Sequence, residues 1–268
     1  MAYVVTFWYV LFYPSIRRRC RYYLDRRFPD RRAPLQRFLD TYRLVRTYGC
    51  TLVDGLILDV LGPGAFSVSC PDRQRLLQLS TGDPGLVLLL AHVGCWRVGM
   101  STLGHFPKPV SVVRSPEPPA TSADDPRNAG VIDPRFGLQS VLRMTDALLG
   151  GEIVVISADR TLGSDQSVVP AQFLGSQVFL PIAPYRLASA TGVPALVMMA
   201  PRISDGSYEL RLAKVLEIPP GLGRLPQNYA PYAQAVADCL EQFVREYPFQ
   251  FYNFYDFWQT PGGDAVGG

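Results

Sequence analysis

Lysine is almost absent from this chain: Lys108 and Lys214 stand alone among 268 residues, and arginine supplies the other 24 basic side chains. Histidine is as scarce, with only His92 and His105, so imidazole chemistry has two possible seats. The five cysteines (Cys20, Cys50, Cys70, Cys95, Cys239) are odd in number, scattered and without a CxxC pair. That excludes a disulfide framework and a zinc ribbon, and it fits a reducing compartment. Charged residues reach only 18% while hydrophobic ones make 48%, against about 25% charged in an average soluble domain. A disordered chain is therefore excluded, and an apolar surface in want of a partner is expected. The sequence has no P-loop, no dinucleotide glycine fingerprint and no metal-ligand cluster, so cofactor-free chemistry is expected. It also lacks helix-turn-helix spacing, a zinc finger and an RNP-like motif, so nucleic acid is not an expected partner.

What the chain does have is asymmetry. Residues 1–46 hold eleven arginines against Asp25, Asp30 and Asp40, a net +8, and the remainder is net −5. The run from Tyr3 to Ile16 is apolar and aromatic and ends at Arg17-Arg18-Arg19-Cys20-Arg21. It is too short to span a bilayer, which needs about 20 apolar residues, and its charges follow the apolar stretch instead of preceding it as in a secretory signal. Residues 1–34 therefore read as an interfacial anchor. Tyr3, Trp8, Tyr9 and Tyr13 would sit at headgroup depth and the arginines on an anionic membrane surface, at about 1 kcal/mol per charge. That places the protein on the inner membrane, peripheral or monotopic, at the cytoplasmic face. The bland alternative is a helix, shortened by Pro14, whose aromatic side packs on the protein's own core.

Residues 35–61 have helical periodicity with an interruption expected near Gly49. Buried strands are expected at Gly85–Ala91 and Glu152–Ser157, further strands at Val110–Val113 and Ala195–Ala200, and an exposed strand at Tyr208–Leu216. Helices are expected around Val98–Leu103 and over Gly137–Leu149, Ala183–Thr191 and 229–247. Residues 115–129, rich in Pro, Ser and Asp, form a long functional loop, and 260–268 a disordered tail. No repeat or second composition regime appears, so 35–259 reads as a single α/β domain with a mixed, mostly parallel central sheet flanked by helices.

His92 follows the most apolar strand, at the carboxyl end where open α/β sheets place their ligand crevices. Beside Gly94, which allows close backbone approach, it suits a general base on a hydroxyl; it suits equally a histidine bonded into the fold. His92-Val93-Gly94-Cys95-Trp96-Arg97 resembles the His-x-Gly-Asn-Trp-Glu signature of the bacterial lipid A biosynthesis acyltransferases, the lauroyl and myristoyl transferases. The resemblance continues through Arg127–Asp133, through Gly150–Asp159 and through Phe173-Leu174-Gly175 followed by Leu187–Pro194. The Tyr42-Arg43 helix and the aromatic Phe251–Trp258 ending are also similar to this family.

The resemblance implies a glycerolipid acyltransferase-like fold and transfer of a fatty acyl chain to a hydroxyl of a membrane lipid acceptor. The donor it implies is an acyl carrier protein thioester, or acyl-CoA. It implies His92 as base, Asp159 in support and an arginine near position 127, Arg127, for the oxyanion. Gly94, Trp96, Arg97 and Arg160 are its substrate-binding candidates. Asp159 alternatively caps the following turn. Cys95, where the family has Asn, is a remote candidate nucleophile and more often a small buried hydrophobe. The departure from the pattern is Arg97, where the family carries an acid that holds the imidazole tautomer; a guanidinium cannot accept a hydrogen bond. Either Arg97 points away and another acid, Asp159 first, supports His92; or Arg97 binds an anionic acceptor; or the relay is lost. In the last case the chain is a catalytically impaired lipid-binding or assembly protein on the same fold.

Overall fold

Three helices open the computed structural model, which describes residues 2–82, 84–101, 107–115, 130–161 and 167–259. They are α1 (Ala2–Phe12), α2 (Pro14–Arg27) and α3 (Pro34–Leu61). Helix α1 turns Thr6 and Val10, one turn apart, inward and leaves Tyr3, Trp8, Phe12 and the following Tyr13 at least half exposed. Its Phe7 meets Phe38 and Tyr42 of α3 edge-on. The Arg17 guanidinium donates to the carbonyls of Val10 and Leu11 at 2.6 Å, closing the carbonyl end of α1. Proline at the first position suits α2, whose Tyr23 stacks on Phe251 at 4.6 Å and donates its hydroxyl to the Pro248 carbonyl at 2.7 Å. Among the described residues no helix is long and apolar enough to cross a membrane.

The break expected near Gly49 is absent: α3 runs unbroken for 28 residues. A helix interior tolerates glycine at a cost of about 1 kcal/mol when packing needs the space. Gly55 shows such a need, since a Cβ there would lie 2.7 Å from Nη1 of Arg97.

The alternating part follows as β1 (Ser67–Ser69), α4 (Arg73–Ser80), β2 (Leu86–Leu90), α5 (Trp96–Ser101), β3 (Val110–Val113) and β4 (Gly130–Ile132). Next come α6 (Leu138–Leu149), β5 (Ile153–Ser157), β6 (Val168–Phe173), β7 (Ser176–Pro181), α7 (Ala183–Thr191) and β8 (Ala195–Met199). The chain closes with β9 (Arg202–Ser204), β10 (Ser207–Glu209), β11 (Arg211–Leu216) and α8 (Ala230–Glu246). Among the described residues the central sheet has the order β11-β8-β2-β5-β3-β4, parallel throughout except for β11 at its edge. This is the mixed, mostly parallel α/β sheet expected from the sequence. Both faces are covered, which is why the central strands read as unbroken apolar runs. Val87 and Leu89 pack with α6, α7 and α8; Leu86 and Leu88 pack on the other face with Leu76 of α4.

Two elements differ from expectation. The strand expected over Tyr208–Leu216 is two, because Ser207–Glu209 pairs with β1 and β9 while Arg211–Leu216 turns onto β8. The β6–β7 hairpin has no counterpart in the sequence reading; it turns on Leu174 and Gly175, both at positive φ. All of the 115–129 loop but its first residue, and the tail 260–268, lie outside the described residues.

Candidate active site

Strand register brings the two chemical groups together. Leu90 of β2 pairs with Ser157 of β5 in parallel, and each chain continues two residues past that pair, to His92 and to Asp159. Equal offsets from one register point put both side chains at the same height above the carboxyl edge of adjacent strands. His92 Nδ1 lies 2.9 Å from Asp159 Oδ1, and the His92 backbone N–H donates to Oδ2 at 2.9 Å. The Ser157 hydroxyl donates to Oδ1 and the Asn253 carboxamide to Oδ2, each at 2.9 Å.

Asp159 has no exposed side-chain surface, whereas the His92 side chain is 33% exposed. Burial alone would raise the Asp159 carboxyl, but the charge attraction of His92 and the hydrogen bonds from His92 and Asn253 outweigh it. They hold the group well below the usual carboxylate range. An ionised carboxylate only accepts hydrogen bonds, so the neutral imidazole must carry its proton on Nδ1. Nε2, on the opposite edge of the ring, is left with its lone pair. A ring held this way by a buried acid has the chemistry a general base needs.

Residues 250–253 strap the site down. Gly94 N–H donates to Gln250 O at 3.0 Å, Val93 bridges Phe251, and Tyr252 N–H donates to the His92 carbonyl at 2.8 Å. Gly94 adopts φ +60°, and a Cβ there would meet the Ala200 carbonyl oxygen at 2.2 Å, so the turn after His92 is possible only for glycine. The backbone N–H groups of Val93, Gly94 and Cys95 are taken up by the carbonyls of Ala91, Gln250 and Ala200. None of the three is therefore free to meet an oxyanion.

Arg97 points at α3, where its Nη2 donates to both Asp59 oxygens at 2.7 and 2.9 Å; the two side chains are 41% and 49% exposed. Trp96, the first residue of α5, is 37% exposed. Arg160 donates from Nε to Asn253 Oδ1 at 2.7 Å and from Nη2 to the Tyr252 carbonyl at 3.0 Å, with its guanidinium over the Tyr255 ring. Cys95 is buried and its burial pushes the thiol up, away from nucleophilic thiolate chemistry. A further polar lock, Asp54 with Arg202 and Tyr208, ties α3 to β9 and β10. Arg127 and His105 lie outside the described residues.

Of the sequence candidates, His92, Asp159, Arg160 and Gly94 thus converge, and Arg97 is turned to α3. Asn253, 2% exposed, was missed: it stands in an aromatic stretch with no motif around it, 94 residues from the acid it contacts. Among the described residues no group of three or more His, Cys, Asp or Glu is placed to hold a metal ion. A family model for bacterial lipid A biosynthesis acyltransferases matches residues 67–260. No curated protein matches the chain.

Proposed function

The chain belongs to the bacterial lipid A biosynthesis acyltransferase family, and from that premise we propose that it moves a fatty acyl chain from an acyl carrier protein thioester to a hydroxyl of a membrane lipid of the lipid A type or a related glycolipid. Membership makes it an acyltransferase-family protein with an acyl donor and a lipid acceptor. The donor carrier, the acceptor's identity and the base are the proposed parts.

His92 Nε2 takes the proton of the acceptor hydroxyl as the oxygen attacks the thioester carbonyl carbon. The tetrahedral intermediate carries its charge on the former carbonyl oxygen, and Arg127 is the cation proposed to meet it, since the amides of Val93, Gly94 and Cys95 are occupied. Collapse re-forms the carbonyl, breaks the carbon–sulfur bond and returns the proton from the imidazolium to the departing thiolate. The observation that carries this reading is the 2.9 Å contact between His92 Nδ1 and an Asp159 held ionised. Asp159 takes the part of the acid missing at position 97, and the Arg97 charge is neutralised by Asp59. Exposed Trp96 and, further out, Arg97 are the proposed contacts for the acceptor, while buried Gly94 shapes the turn after the base.

Membrane docking on the cytoplasmic face of the inner membrane is assigned to α1 and α2. Tyr3, Val4, Val5, Trp8, Leu11 and Phe12 expose apolar surface that a soluble globule would bury, and the arginines of α2 lie next in the chain. Helix α1 runs antiparallel to α3, with Tyr3 beside Arg46 and Phe7 beside Phe38. The exposed Leu52, Leu56 and Val60 of α3, at one-turn spacing beyond the α1 start, continue the same surface toward Asp59 and Arg97. The test is release of free carrier from acyl carrier protein thioester by purified protein in the presence of a bacterial lipid extract. His92→Ala is expected to abolish it, and a His92→Ala protein as active as wild type would overturn the mechanism. Release of free fatty acid without a lipid acceptor would mark a thioester hydrolase instead.

A further inference from the structure

We propose that Arg160 and Asn253 are positioning residues that fix the orientation of the catalytic pair from behind, as an Arg160–Asn253–Asp159–His92 chain in which every hydrogen-bond direction is set by the member before it. This deepens the reading of His92 as base and rests on it.

The argument is one of donors and acceptors. A guanidinium has only donors, so the Asn253 atom 2.7 Å from Arg160 Nε must be the carboxamide oxygen. That choice turns the Asn253 NH2 toward Asp159 Oδ2, 2.9 Å away. Asp159 then receives donors at both oxygens: Asn253 and the His92 amide at Oδ2, Ser157 and the ring Nδ1 at Oδ1. A carboxylate pinned on both sides cannot rotate away from the imidazole, and the imidazole cannot change tautomer without losing its partner. Asn253 is also the spacer between Asp159 and the neighbouring guanidinium, leaving the acid to His92. Arg160 is tied to the strap through Asn253, the Tyr252 carbonyl and the Tyr255 ring, and so is assigned to positioning.

Among the described residues the charged and titratable groups facing this chain are His92, Arg160 and Tyr255, whose ring lies against the Arg160 guanidinium. Asn253→Asp keeps the shape but sets a second carboxylate against Asp159. At neutral pH the two oxygens repel; on acidification a shared proton restores the missing donor. Asn253→Ala removes the donor at every pH.

The experiment measures kcat and KM for acyl transfer by the full chain between pH 5.5 and 9, together with the imidazole proton spectrum of 15N-histidine-labelled protein. A His105→Gln background leaves His92 as the single imidazole. Folding of each variant is checked by circular dichroism. Both variants at 253 should lower kcat about 10- to 100-fold with little change in KM, and weaken the Nδ1–H resonance. The Asn253→Asp to wild-type activity ratio should rise as pH falls, while the Asn253→Ala ratio stays flat. Arg160→Met should lower kcat several-fold with KM unchanged.

Flat ratios for both variants with an unaltered Nδ1–H resonance would overturn the proposal, as would an Arg160→Met protein with raised KM and normal kcat. Should wild-type protein transfer no acyl group, the functional reading fails by itself; the resonance, which needs no turnover, still decides whether Asn253 orients the pair.

Discussion

Replacing Asp159 by Asn should leave the protein folded and nearly inactive, and the hydrogen-bond pattern says why. Asp159 accepts from the His92 amide, the His92 ring, Ser157 and Asn253. An Asn at 159 has one oxygen and one NH2 to offer. With its NH2 at the Oδ2 position, two donors, the His92 amide and Asn253, would face a third. With its NH2 at the Oδ1 position, Ser157 turns its hydroxyl to accept and the imidazole accepts at Nδ1, so every group is satisfied. The second arrangement wins, and it moves the imidazole proton to Nε2, the atom that must take the acceptor's proton. A wrong tautomer in a hydrolase triad costs about four orders of magnitude in rate, and kcat should fall by about that factor. Asp159→Asn should lose at neutral pH the stability that the lowered carboxyl contributes, and Asp159→Ala, which leaves buried donors unpaired at about 1–3 kcal/mol each, should melt lower still. Steady-state carrier release with matched thermal denaturation reads both. An Asp159→Asn protein keeping more than about a tenth of wild-type kcat would refute the tautomer argument.

Acid should erase the stability difference between wild type and Asp159→Asn. The folded Asp159 carboxyl lies below its unfolded value, so its contribution is complete above about pH 4 and is lost as pH falls further, a trend denaturant melts at pH 7, 4 and 2.5 would show or exclude. Gly94→Ala sets a Cβ against the Ala200 carbonyl at a positive φ that alone costs about 1–2 kcal/mol; both the melting temperature and activity should drop, and a variant melting like wild type contradicts the geometry. Arg97→Glu faces Asp59 with a like charge, but the pair is half exposed, so the loss should stay within about 1 kcal/mol and the Arg97→Glu/Asp59→Arg exchange should restore it. Trp8→Glu with Phe12→Glu should weaken co-sedimentation with anionic phospholipid vesicles at least about tenfold, and wild-type binding should fall with added salt; salt-independent binding would exclude the arginine contribution.

His92 and Asp159 were individually legible because each closes an apolar run, Leu86–Leu90 or Ile153–Ser157, whose carboxyl end is the customary seat of chemistry. Their contact was less so: it depends on Leu90 facing Ser157, and pairing register is a property of two strands that neither strand states alone. Arg97 read as a threat to the imidazole because the sequence shows which residue is charged and not where its partner stands. Asp59, 38 residues earlier on α3, takes that charge, and Gly55, read as ordinary helix, makes the room. The β6–β7 hairpin escaped notice because it carries Pro170 and turns on Leu174-Gly175, without the Asn-Gly or Asp-Gly pair that marks such turns. Asn253 left no trace at all, since a single amide acquires meaning only when residues 159 and 160 are folded onto it.

The strap at residues 250–253 also sets a time order on biosynthesis. The histidine emerges from the ribosome some 160 residues before the Asn253 amide that donates to its partner acid. On the function proposed above, the opening helices of a nascent chain are ready for a lipid surface well before the site is complete, so delivery would precede competence.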